Sequence, residues 1–379
     1  MTQTSTPDCF GRTREELGEL LSGEFGVREK YRAEQIYLGF YARRARSFEE
    51  IKELPRALTV ALEGRYTIPS LVTEHCSSAS DGTKKFLFRL PDGRQIETVL
   101  IPSEMRDDTG NHRRKTLCVS TQVGCPLDCK FCATASLKVK RNLTTGEILL
   151  QLFEVERAAG EPVTNLVFMG MGEPMLNYDN VVRALRILTD PTLHLLGKRR
   201  ITVSTSGIPD EIRALAREGL DVKLALSLHA TTNGLRTRLM PINKRYPLEE
   251  VLAAVEEYYQ ITRVPITYEY ILFQGLNDTE LDAKRLAKIA RRVPSKINVI
   301  PFHPIDFTDP TGFSATLKPA TNEEFNLFLA TLKHEGAQVM VRSSSGKDIE
   351  AACGQLALSE LKKSSRPLDI ALPHAVNAE

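Results

Sequence analysis

Apolar residues recur at three- and four-residue spacing in TREELGELLSGEFG and REKYRAEQIYLGFYARR. That spacing predicts amphipathic helices in the first 75 residues. TKKFLFRLPDGRQIETVLIP then reads as two strands around Pro91-Asp92-Gly93, a hairpin turn signal. From residue 115 onward, short Val/Ile/Leu-rich runs are separated by helical periods. Strands are expected in TLCVSTQ, TNLVFMG, RITVSTSG, DVKLALSLHA, ITYEYILF, KINVIPFH and QVMVRSS. Helices are expected between them, at Glu147–Ala158, Val181–Leu188, Asp210–Glu218, Leu248–Gln260, Glu280–Arg292 and Glu323–Glu335. Thr144 followed by Glu147 has the spacing of a capping box. Gly219 and Gly336 stand where helix C-terminal glycines belong.

Repeated strand–helix units with apolar strands imply a parallel sheet, and this many units imply a full or partial barrel. The fold class expected is α/β. Four regions are expected: a helical accessory domain over 1–75, a hairpin linker over 76–114, a barrel core over 115–345 and a C-terminal segment over 346–379. In such folds chemistry gathers at the C-terminal ends of the strands.

Composition narrows the setting. No run of about 18 apolar residues is present, so no membrane span is expected. The N-terminus lacks a basic start followed by an apolar run, so no secretory leader is expected. Seven cysteines, an odd number and mostly far apart, argue for a reducing cytoplasm and against a disulfide framework. A net charge of +2 says little, but its distribution says more. Basic clusters recur at Arg113-Arg114-Lys115, Lys138–Arg141, Lys198-Arg199-Arg200, Arg236–Arg245 and Lys362-Lys363. Such clusters on a near-neutral chain are consistent with a polyanion partner and equally with a solvated surface of mixed charge.

The chemical signal is GCPLDCKFC, with Cys125, Cys129 and Cys132 at the end of the first predicted barrel strand. Three thiolates on one loop can chelate one metal centre. Structural zinc wants four protein ligands. A [4Fe–4S] cluster has four irons, so three cysteines leave one iron open to a small molecule. A zinc site with a distant fourth ligand and a chance group of buried cysteines are the competing readings. FMGMGEP, Phe168–Pro174, ends the next predicted strand. Its glycines permit close backbone approach, and Glu173 can accept from an ammonium group.

At these residues the chain resembles the radical S-adenosylmethionine (SAM) superfamily. Seven stretches narrow the resemblance: TLCVSTQVGCPLDCKFCATA, RNLTTGEI, MGMGEPMLNYDNV, RRITVSTSGI, LALSLHA, MPINKRYPLEEVL and DIEAACGQLA. In this order they are similar to the RlmN/Cfr family of RNA methyltransferases, from about residue 10 to about residue 360. The resemblance implies a [4Fe–4S] cluster on Cys125, Cys129 and Cys132, with two SAM molecules used per turnover. It implies Cys353 as a methyl carrier, Cys118 as a resolving cysteine and Glu97 as a base for the ring proton. Gly172, Glu173, Ser204, Ser227, Leu228, His229 and His303 match SAM-contacting positions. Cys9 and Cys76 match nothing and read as structural.

The implied substrate is adenine in 23S ribosomal RNA, with transfer RNA as a second. The implied reductant is a flavodoxin or ferredoxin, and a monomer is the default. Methylation at C2 and methylation at C8, the Cfr-type outcome, share every cysteine. C2 is preferred as the housekeeping reaction. A zinc-stabilised RNA-binding protein and a glycyl-radical activase are the other readings; the placement of Cys353 and the SAM-like segment argue against the first, and the second leaves Cys118 and Cys353 idle. Two departures stand out. PFHP puts His303 where the family has Asn, and CATASLKVKRN lacks a glycine before RN.

Overall fold

The computed structural model describes residues 8–103, 105, 112, 114–342 and 345–358. Three helices lead: α1 (Arg14–Phe25), α2 (Lys30–Tyr41) and α3 (Arg56–Glu63). Thr13 and Glu16 close a capping box at the start of α1. Strands β1 (Val72–Ser78), β2 (Lys84–Arg89) and β3 (Gln95–Pro102) follow. β2 and β3 are the expected hairpin. β1 is unexpected, because VTEHCSS is polar and exposed on both faces.

The strand expected at TLCVSTQ divides into β4 (Lys115–Cys118) and β5 (Gln122–Val123), the latter paired with β6 (Arg141–Asn142). After β4 the backbone turns to the loop that follows the next strand. Gly170 N donates to Val119 O at 3.0 Å and Thr121 N donates to Met171 O at 2.8 Å. The rest alternates: α4 (Thr145–Ala159), β7 (Asn165–Phe168), α5 (Tyr178–Leu188), β8 (Ile201–Thr205), α6 (Pro209–Arg217) and β9 (Lys223–Ser227). Then come α7 (Asn233–Leu239), α8 (Leu248–Thr262), β10 (Ile266–Leu272), α9 (Glu280–Ala290), β11 (Ser295–Pro301), α10 (Asn322–His334) and β12 (Val339–Val341). The capping box at Thr144 and Glu147 forms as expected. Gly219 and Gly336 take left-handed backbone just past α6 and α10. The short α7 has no counterpart among the expected helices.

Ten strands form one sheet in the order β1-β2-β3-β4-β7-β8-β9-β10-β11-β12. β4 and β7 through β12 are parallel, whereas β1 to β3 are antiparallel. The edges, β1 and β12, stay unpaired among the described residues, so the barrel is partial. It is nevertheless curled: Ile101 on β3 and Met340 on β12 line the same interior cavity of about 250 Å³.

One apolar core runs from the N-terminal helices to α10. The N-terminal segment seats on α4, where Phe10 meets Phe153 edge-on and Arg44 lies 3.4 Å over that ring. A second apolar cluster, with Phe131, Phe273 and Phe302, lies under the cysteine loop. Among the described residues no helix is long and apolar enough to cross a membrane.

Candidate active site

The β5–β6 pair brackets the cysteine loop. Gly124, at φ +76°, closes it so tightly that a Cβ would stand 2.0 Å from Lys138 O. Cys129 and Cys132 pack against the phenylalanine cluster, and Phe131 meets the His229 ring edge-on at 4.7 Å. Burial, then repulsion from Cys132, pushes the Cys125 thiol up to about 12. Burial holds Cys129 well above the usual thiol range and raises Cys132 as well. Three desolvated thiols that repel one another as thiolates need a cation to replace their protons. Among the described residues no three His, Cys, Asp or Glu side chains stand close enough together to hold one metal ion, so the three cysteines do not form a ready single-ion site. The donor set, soft and threefold, fits an iron–sulfur cluster held from one loop.

The glycine-rich segment after β7 lies against the strand that carries this loop. A Cβ on Gly170 would stand 2.7 Å from Val119 O. One on Gly172, at φ +101°, would stand 2.6 Å from Gln122 Cβ. These glycines are therefore required by backbone packing itself. Glu173 is buried and ties three strand ends together. Its N–H donates to Gln122 Oε1 at 2.9 Å, and its carboxylate accepts from Met175 N at 3.1 Å and Ser206 N at 2.8 Å. Burial raises its pKa.

Ser204 is buried near the end of β8, and Ser227 ends β9. Leu228 is fully buried. Arg236 joins these ends from inside, donating to Ser206 O at 2.6 Å, Ser227 O at 3.2 Å, Leu228 O at 3.3 Å and Asn243 Oδ1 at 3.0 Å. The sequence grouped Arg236 with a surface basic cluster. The structure corrects this, since Arg236 is fully buried and spends its donors on carbonyls, and burial lowers it to about 10. His229 takes left-handed backbone at φ +55°, and its Nδ1 accepts from Ile271 N at 3.1 Å. Burial, then Arg236, lowers this imidazole to about 3, so it is neutral with its proton on Nε2.

The C-terminal segment docks on the cysteine loop. Ala133 N donates to Gly354 O at 2.7 Å, and Thr134 Oγ1 donates to Leu356 O at 2.6 Å. Cys353 thereby lines the barrel cavity together with His303, whose imidazole burial and Lys347 lower to about 4. Cys118 ends β4, buried and in register with Val99. Burial, then the neighbouring Cys353, pushes its thiol up to about 12. Glu97 lies beneath the same segment and is fully buried. Its Oε2 accepts from Leu358 N at 3.1 Å, and its Oε1 pairs with Lys85 Nζ at 3.3 Å. Burial raises the Glu97 carboxyl even so.

Two residues here were not singled out by sequence. Lys85 is one, buried beside Glu97. Arg342 is the other. It follows β12, pairs with Glu269 at 3.8 Å and donates to Met169 Sδ at 3.1 Å. The charge of Cys353, then Glu269 and Cys118, raises its pKa. A lysine in an apolar strand and one arginine past a strand end carry no spacing signal. Of the cysteines left over, Cys9 is buried as expected, whereas Cys76 is exposed on β1. Lys362, Lys363 and Arg113 lie outside the described residues.

Comparison with known proteins places this geometry. Residues 119–287 match the radical SAM superfamily. The chain is 44% identical to the dual-specificity RNA methyltransferase RlmN of Geotalea uraniireducens over 349 residues, 92% of this chain and 96% of that protein. It is 42% identical to the RlmN of Geobacter sulfurreducens over 372 residues, 98% of each. It is also similar to the crystal structure of a radical SAM methyltransferase from Sphaerobacter thermophilus. That match has a TM-score of 0.81 at 40% identity and covers 92% of this chain and 99% of that one.

Proposed function

The chain belongs to the RlmN family of radical SAM RNA methyltransferases, and on that premise we propose that it methylates C2 of adenine in 23S ribosomal RNA and in transfer RNA through a cysteine methyl carrier. The observation that carries this reading is the docking of the Cys353 segment on the cysteine loop, with Cys118 close by. One site so gains a metal-binding loop and two further thiols.

An adenine ring carbon is electron-poor and cannot attack a methyl cation donor, so a polar transfer to it fails. With a [4Fe–4S] cluster on Cys125, Cys129 and Cys132 and SAM in place, the site gains a one-electron cleavage that can take hydrogen from a methyl group. Cys353 supplies that methyl, because its thiolate is the nucleophile that accepts it from a first SAM. Its sulfur then carries the carbon to the ring as a thioether link. Cys118 attacks this sulfur: the S–S bond forms as the S–CH2 bond breaks, and the released carbon takes up a proton to become the product methyl, leaving a disulfide between Cys118 and Cys353. Glu97 takes the ring proton, a task its raised pKa favours. Gly172, Glu173, Ser204, Ser227 and His229 form the SAM side, with His229 Nε2 as a donor. Leu228 adds apolar shape, and His303 takes the position of the family Asn. A flavodoxin or ferredoxin is the reductant in this reading. Residues 1–75 serve as the RNA-side accessory domain.

The test is anaerobic turnover of reconstituted protein with SAM, reductant and unmodified ribosomal RNA. Wild type is expected to yield 2-methyladenosine and Cys353→Ala none. Cys118→Ala is expected to accumulate a covalent protein–RNA adduct. Detection of 8-methyladenosine would overturn the C2 assignment. Methylation by Cys353→Ala at the wild-type rate would overturn the carrier.

A further inference from the structure

Four cations from remote parts of the chain meet at one end of the barrel. Arg114 precedes β4, Arg200 precedes β8, Lys223 opens β9 and Lys296 is the second residue of β11. These strands are parallel, so all four residues stand at the strand N-terminal end, opposite the cysteine loop. All four line the cavity that also holds Cys353 and His303. The cavity therefore runs the length of the barrel, with a basic mouth at one end and the carrier cysteine at the other.

Two nearby lysines have carboxylate partners. Lys198 pairs with Asp221 at 2.7 Å and Lys115 with Glu161 at 2.6 Å. Among the described residues no ion pair involves Arg114, Arg200, Lys223 or Lys296. Burial, then the charges of Lys296, Arg114 and Arg199, lowers the Lys223 ammonium. Convergent like charge is unfavourable unless an anion offsets it.

The wall between the two ends is graded. Lys296, Asn298 and Ile300 alternate along β11 and all face the cavity, with His303 just beyond. Thr267 stands in register with Lys296, and Glu269 with Asn298. The cations at the mouth thus give way to hydroxyl and amide groups and to one carboxylate, Glu269, which accepts from Asn298 Nδ2 at 2.8 Å and pairs with Arg342 at 3.8 Å, before Ile300, His303 and Cys353 are reached. Four residues of strand span about 13 Å, a depth that one nucleotide flipped out of its stack can reach.

We propose that RNA docks at this strand N-terminal mouth. Arg114, Arg200, Lys223 and Lys296 take the phosphates flanking the target nucleotide, and the base passes down the barrel interior toward Cys353. This rests on the reading of RNA as substrate given above, and adds the face by which RNA arrives.

The test is RNA affinity measured by fluorescence anisotropy across a salt series, using a labelled single-stranded loop. Each phosphate contact to single-stranded RNA contributes roughly 0.7 to the slope of log affinity against log salt. Lys223→Gln/Lys296→Gln and Arg114→Gln/Arg200→Gln should each lower that slope by about 1.4 and weaken binding roughly tenfold at low salt. Lys288→Gln/Lys333→Gln, on the outer helices α9 and α10, should leave the slope alone. If a pair lowers the melting temperature, Lys296→Gln alone carries the test with half the slope change. Pairs that bind with the wild-type slope would overturn the proposed mouth while leaving RNA as substrate. A wild type that binds no RNA would overturn the substrate reading itself.

Discussion

His303 lines the cavity that also holds Cys353, and its surroundings give its imidazole a measurable cost. The imidazole is largely buried in the cavity, beside Lys347, and its pKa is lowered to about 4. An unfolded histidine titrates near 6.5. The folded protein therefore binds fewer protons than the unfolded chain between those values. Stability present above pH 6.5 is lost as pH falls toward about 4. His229 acts in the same direction, with a window reaching down to about 3. His303→Asn removes one of these two terms. Its melting temperature should fall less than wild type between pH 6.5 and pH 4, and equal acid lability in both proteins would rule the term out. At this scale the cysteines were legible, because thiol spacing is itself the chemistry. Lys85, Arg236 and Arg342 were not, since what matters about each is its burial and its partner. Arg236 was even misread, as its neighbours in sequence are basic and its neighbours in space are carbonyls.

The elements that positioned the site were legible wherever one periodicity ran for long enough. Val/Ile/Leu-rich segments of five to seven residues, with polar residues interleaved, marked β8 to β11. β1 escaped because neither face is buried, and α7 because seven residues give barely two helical turns. TLCVSTQ read as one strand because its composition carries no break; the break comes from the loop after β7 pressing against it. Two glycines separate conformation from contact at this junction and beyond it. Gly160 and Gly172 both have positive φ, but a Cβ at Gly160 meets open space, whereas one at Gly172 meets Gln122. Gly160→Ala should cost about 1–2 kcal/mol, the left-handed penalty alone. Gly172→Ala should cost more and should also move Glu173 off its bonds to Ser206 and Met175. Urea unfolding of both variants compares the costs, and an equal loss would mean that the loop relaxes freely.

At the scale of the whole molecule, function depends on contacts that no local pattern encodes. The hairpin loop between β1 and β2 holds the segment that carries Cys353 from 265 residues or more away. Asp81 Oδ2 accepts from Gly346 N at 3.0 Å and Asp348 Oδ2 accepts from Ser80 N at 2.9 Å. Gln355 reaches Pro304 O from the other side at 3.2 Å. The antiparallel strands β1 to β3 thus act as an arm that presses the last segment of the site onto the cysteine loop. Both aspartates sit on loops near solvent, so removing them should cost the core little. Asp81→Ala/Asp348→Ala should keep a near wild-type melting temperature while loosening the Cys353 segment. Alkylation of Cys353 by iodoacetamide, followed by mass spectrometry of its peptide, should then run several-fold faster than in wild type, with Cys118 unchanged as the buried reference. An unchanged Cys353 rate would mean that Ala133 and Thr134, on the cysteine loop itself, hold the segment without help from the hairpin.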